Sequence, residues 1–123
     1  MSILVAVPGQ PQNPTSVSLT TTATTDIKSF VAGTTGVAFI TGIIIVNDSG
    51  SAVLVKVYRT DNATDTIIYT GSVPANSTVL NAIDAPLAFN ARETPKKIRA
   101  QAATGGSVIT VTVIHNLLNQ QSG

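Results

Sequence analysis

GIIIVNDSGSAVLVKVY, residues 42–58, decides the fold class. Its first limb, Ile43 to Val46, is apolar at every position. Its second, Val53 to Tyr58, alternates and carries Lys56 on one face. Between them lies NDSGS, residues that bond their own backbone or tolerate positive φ. The stretch therefore reads as two β-strands and a turn, a hairpin. A limb apolar on both faces needs cover on both. One face meets a core; the other meets loops, the chain's own N-terminal arm or a second protein.

The same signals recur outward from this stretch. Alternation and β-branched residues come with turn residues every 8 to 14 positions, and the helical period is missing. Short strands are expected at Ser16–Thr22, Ile27–Val31, Val37–Thr41, Thr66–Thr70, Ser77–Asn81, Leu87–Phe89, Ile98–Ala102 and Val108–His115. Val37 and Phe39 are expected to share the core face of their strand. Gly42 is expected to mark a bulge or kink. Tyr58 and Tyr69 are expected to pair across neighbouring strands. The prediction is an all-β, single-domain antiparallel β-sandwich, jelly-roll-like, with about eight strands.

Three segments follow. Residues 1–15 form an extended arm, because Pro8, Pro11 and Pro14 fix φ and remove donors. Residues 16–115 form the sandwich, and 116–123 a polar tail, weakly helical at its start. Met1 to Val7 is apolar but lacks a basic start and meets Pro8 at once, so no cleaved signal is expected. No apolar run approaches the roughly 18 residues of a membrane span.

Composition narrows the chemistry. Only 11% of the 123 residues are charged, against roughly a quarter in an average domain. The net charge of +1 leaves no electrostatic footprint for nucleic acid or membrane. Cysteine is absent, which removes disulfides, thiolate metal sites and Cys nucleophiles. His115 is the one histidine, and no Gly-x-Ser-x-Gly elbow accompanies it. It stands in phase with Val111 and Val113, so a structural or interfacial role outweighs a catalytic one. Asp61 to Asp65 is oxygen-rich but lacks the Gly and distant Glu of a calcium loop. Asn47, Asn62 and Asn76 each open a glycosylation tripeptide, which an Asn- and Thr-rich chain produces by chance. No catalytic, cofactor or metal site is expected, and no small-molecule substrate.

The candidate sites are surfaces for partners. Ile3, Val5 and Val7 form an apolar strip on the arm. Ile44 and Val46 occupy the second face of the opening strand. Arg92, Lys96, Lys97 and Arg99, within RETPKKIR, form the one basic concentration. It lacks the aromatic platform of a nucleic-acid site, and an acidic partner surface is the better match.

The order of elements carries a resemblance. A Thr-rich opening strand leads to Val31-Ala32-Gly33, then IIIVNDSGSAVLVKVY, SVPANSTVL, IRAQA and a terminal VITVTV. Over residues 16–115 this resembles the small all-β virion proteins of tailed bacteriophages. Where those often carry a short Gly-Asp-type turn, this chain has the longer, basic FNARETPKKI. The resemblance implies a structural protein of the virion, assembled in the host cytoplasm. Capsid decoration or cement is one placement, with a homotrimer seated on the major capsid protein or another virion protein. A neck or tail accessory protein is the alternative. From a different class, a carbohydrate- or receptor-binding module competes, though Trp is absent and stacking aromatics are few.

Overall fold

The computed structural model describes residues 9–31, 36–83, 85–90 and 95–118. Among them are ten strands: β1 Gln10–Pro11, β2 Thr15–Ser18, β3 Thr25–Phe30, β4 Val37–Asn47, β5 Val53–Asp61, β6 Thr64–Val73, β7 Ser77–Val79, β8 Leu87–Asn90, β9 Lys96–Ala102 and β10 Ile109–Leu118. They form two antiparallel sheets. In the larger, β1 and β2 lie end to end along one side of β10, β4 lies on its other side, and β7 and β8 lie end to end along β4. The smaller has the order β3-β9-β5-β6.

Counting end-to-end strands as one lane makes each sheet four lanes wide. In chain order the lanes run 1-8-3-6 in one sheet and 2-7-4-5 in the other. This is the eight-strand jelly roll. Every sequential connection between lanes crosses from sheet to sheet except β5 to β6.

The opening stretch is therefore not a hairpin. β4 belongs to the larger sheet and β5 to the smaller, so Asp48 to Ala52 bridges the ~10 Å between facing sheets. The hairpin is β5–β6, turning at Asn62 with φ of 59°. Alternation reports which residues face inward; it does not report which strand lies alongside. What holds the arch is Asn47, inward-facing and buried. Its Nδ2 donates to the carbonyls of Ser51 (2.9 Å), Val73 (3.0 Å) and Pro74 (3.2 Å). Its Oδ1 accepts from the backbone N–H and hydroxyl of Ser49. One buried amide, fully bonded, ties the end of β4 to the end of β6 in the opposite sheet. Its burial also leaves that tripeptide no room for a glycan.

Inward residues from both sheets fill the core, among them Ile43, Ile45, Val55, Ile98, Val111 and Phe89, all fully buried. Ile98, Ala100 and Ala102 face inward on β9, and Ile109, Val111 and Val113 on β10, as their alternation predicts. β4 departs from expectation. His115 pairs with Ile40 and Ile114 with Gly42, which leaves Thr41 as an extra residue. This bulge, at the predicted place, reverses the alternation along the strand. Before it Ala38 and Ile40 are buried; after it Ile43 and Ile45 are. Phe39 and Val37 consequently face outward, not into the core. Between the end of β7 and the start of β8, Asn81 stands in for a strand. Its Oδ1 accepts from Ile43 N–H, and Ala82 N–H donates to Ile43 O at 2.8 Å.

The ends also differ from expectation. Gln10 and Pro11 pair with Leu117 and Asn116, and Thr15 opens β2, so residues 10–15 border the sandwich as part of the larger sheet. Asn116 to Leu118 continue β10 and are not a helical tail.

Candidate interaction surfaces

The strands of the two sheets differ in charge. Asp26, Lys28, Lys56, Arg59, Asp61, Asp65, Lys96, Lys97 and Arg99 all lie on strands of the smaller sheet. No Asp, Glu, Lys or Arg occurs in any strand of the larger sheet. His115 is its one titratable strand residue, and it faces the core.

The outer face of the larger sheet is built in rows by strand register. Ser16, Thr112 and Ile44 stand opposite one another on β2, β10 and β4. Ser18, Thr110, Val46 and Thr78 form the next row, reaching β7. Hydroxyls pair across the strands, Ser16 Oγ with Thr112 Oγ1 at 2.7 Å and Ser18 Oγ with Thr110 Oγ1 at 3.0 Å. Beside them Phe39, Ile44, Val46 and Ile114 are half-buried. Ile44 and Val46 thus sit where the sequence places them, on the face away from the core. Ile3, Val5, Val7 and Arg92 lie outside the described residues.

The remaining basic residues find acids within their own chain. Lys96 is mostly buried and bonds Asp61. Lys97 Nζ donates to Asp26 Oδ2 at 3.0 Å. Arg99 Nη1 donates to Asp65 Oδ2 at 3.2 Å, and its Nε lies 2.8 Å from Asp26 Oδ1 without the alignment of a hydrogen bond. Asp26 feels burial, which raises its pKa, but the hydrogen bond from Lys97 and the charges of Lys97 and Arg99 outweigh that and hold it below the usual carboxylate value. Antiparallel register sets these pairs: β9 runs between β3 and β5, so its outward Lys97 and Arg99 are flanked by acids from both sides. Lys96, Lys97 and Arg99 are thus each paired with an acid of their own chain. Spacing along one strand cannot reveal this, because the acids come from strands distant in sequence.

Two aromatic expectations change. Val57 pairs with Tyr69 but Tyr58 pairs with Ile67, which leaves Ile68 as a bulge. The bulge puts the tyrosines on opposite faces. Tyr58 points outward and its hydroxyl donates to Gln101 Oε1 at 3.0 Å. Tyr69 packs against the core and covers Gly71, where a Cβ would lie 2.7 Å from the Tyr69 hydroxyl. A stacking platform built on the pair is not formed. Lys56 and Leu54 instead line a shallow groove with Thr22, Gln101 and Ala102.

His115 is 2% exposed, edge-on to Phe30 with ring centroids 5.4 Å apart. Its Nδ1 has no hydrogen-bond partner. Burial, and secondarily the charge of Lys28, push its pKa below the ordinary value. Asp61 and Asp65, the acids of the oxygen-rich turn, are engaged by Lys96 and by Thr60 and Arg99. Among the described residues no group of three or more His, Cys, Asp or Glu could hold a metal.

No protein-family model matches the chain, and no curated protein matches it. Among solved structures, a chain from the structure of infectious bursal disease virus Gt strain aligns with 95% of this chain at 13% identity and a TM-score of 0.33. A chain from the Gx strain aligns with 93% at 12% identity and 0.32. This chain spans 36% and 37% of those two. TM-scores this low do not establish a shared fold.

Proposed function

We propose that this chain is a non-enzymatic structural protein of a virion, a capsid decoration or cement protein of a tailed bacteriophage. In this reading the outer face of the larger sheet lies against a neighbouring virion protein. Jelly rolls serve as capsid domains, lectins and cupins alike, so the fold by itself selects none of these. The supporting observation is the charge segregation: six strands without an Asp, Glu, Lys or Arg, and Phe39, Ile44, Val46 and Ile114 half-exposed on their outer face. Interface centres are depleted in charged residues and enriched in aromatic ones. Hydroxyls such as Thr110 and Thr112 act as both donor and acceptor, which lets the face satisfy an apposed backbone or polar side chain. The sequence resemblance described above points to the same role.

Virions assembled with an Ile44→Lys/Val46→Lys chain provide the test. Those substitutions bury no new group in the core, so the chain stays folded while its occupancy on purified particles falls at least tenfold. Unchanged occupancy overturns the reading. Copy number on wild-type particles then separates the placements. A count that scales with capsid subunits means decoration; a small ring-like count means neck or tail.

A further inference from the structure

The two edges of the smaller sheet are defended unequally. β3 carries Asp26 and Lys28 and a break in register between them. Charges and bulges are the usual protection of an edge strand. β6 has a single charge, Asp65, near its start; from Thr66 to Val73 the sequence is TIIYTGSV, without charge or proline. Ile68 bulges, but Tyr69 to Val73 then run five residues in regular register with β5. Among the described residues β6 pairs with β5 alone. Ile67 on β6 and Leu54 on β5 are 50% and 45% exposed beside this edge.

The chain also holds a segment suited to that edge. Ile3-Leu4-Val5-Ala6-Val7 is five residues long, uncharged and largely β-branched or aliphatic, and ends at Pro8. We propose that residues 3–7 of one copy add as a fifth strand to the β6 edge, Tyr69–Val73, of a second copy. This rests on the reading of the chain as an assembling virion protein, and it names both the partner and the acceptor strand.

Reach shows why the donor must be another copy. β1 occupies the first lane of the larger sheet, while β6 lies beneath the lane of β7, with which it is in contact. Three lateral strand spacings are about 14 Å and the sheets are about 10 Å apart, so Gln10 lies at least ~17 Å from β6. With residues 3–7 laid on β6, three Cα steps from Val7 to Gln10 span at most ~11 Å. A chain cannot pair its own Ile3–Val7 with its own β6. Gly9, the first described residue, has a φ of +96°. A Cβ there would lie 2.6 Å from Leu117 O, so only glycine fits beside the end of β10. An arm-to-edge contact of this kind is head-to-tail, and it closes into a ring when the rotation between copies permits.

The chain has no cysteine, so single cysteines report contacts directly. Full-length Val5→Cys chain is mixed with full-length Thr70→Cys chain and treated with a short thiol–thiol cross-linker. The expected result is a hetero-linked dimer, absent when Ser29→Cys on β3 replaces Thr70→Cys. In parallel, Leu4→Asp, which alters only the arm, should raise hydrogen exchange at Tyr69–Val73 at least tenfold in the assembled protein. Linkage to β3 in place of β6, or no linkage together with unchanged exchange at β6, overturns the inference. Both readouts use the isolated protein. The outer-face variant is scored on particles, so failure of the arm contact and failure of the virion reading give different results.

Discussion

The two sheets share a core and differ outside it. The smaller sheet meets water with charges of both signs, linked through Asp26, Asp65, Lys97 and Arg99 across its strands. The larger meets it with hydroxyls and branched aliphatics. Inward faces are alike because both bury the same apolar surface. Outward faces are free to differ, so what they carry reflects what they meet. An ion-paired face suits solvent; an uncharged one with an aromatic residue suits another protein.

The largest expected effect separates the two sides of β4. Ile45→Ala empties a fully buried site and should cost about 2–5 kcal/mol. Ile44→Ala, one residue away and facing outward, should cost less than about 1 kcal/mol. Denaturant unfolding of both variants measures the difference; equal losses would mean that the outer face is packed as tightly as the core. Next comes the link between the sheets. Asn47→Ala removes the amide that reaches Ser51, Val73 and Pro74, leaving the buried Val73 carbonyl unpaired, at about 1–3 kcal/mol. Hydrogen exchange should then rise first in the arch and the end of β6.

Titration sharpens the comparison from both sides. His115 binds its proton less readily folded than unfolded. Its contribution to stability is therefore whole above its ordinary pKa of about 6.5 and is lost as pH falls below it. His115→Leu should flatten stability between pH 7 and 5, read from the midpoint of unfolding at each pH. The smallest effect belongs to the charged sheet. Asp26 is lowered from 3.8, so its contribution is present above that value and disappears as pH drops through the lower, folded-state one. Because it is substantially exposed, Asp26→Asn should cost no more than about 1 kcal/mol at neutral pH. That loss should shrink in high salt.

Much of this was legible in the chain. Ile98, Ala100 and Ala102 against Arg99 and Gln101, or Ile109, Val111 and Val113 against Thr110 and Thr112, declare their faces because a strand's side-chain period is two. Bulges defeat that reading: Thr41 turned Phe39 outward, and Ile68 parted Tyr58 from Tyr69. An extra residue is invisible until its partner strand is known. Ile44 and Val46 could be placed on a second face because every position around them was apolar. The ion pairs of Lys96, Lys97 and Arg99 could not, since their acids arrive from β3, β5 and the start of β6.

What residue order determined by itself was local: strands, turns, inward faces, and the absence of cysteine chemistry. What only the tertiary structure decided was adjacency. NDSGS is a turn in either case, but whether it returns the chain alongside itself or carries it across the core depends on which strands fill the neighbouring lanes. β4 lies between β10 and the β7–β8 lane, and β5 between β9 and β6. Those pairings join residues far apart in sequence, and no local propensity encodes them.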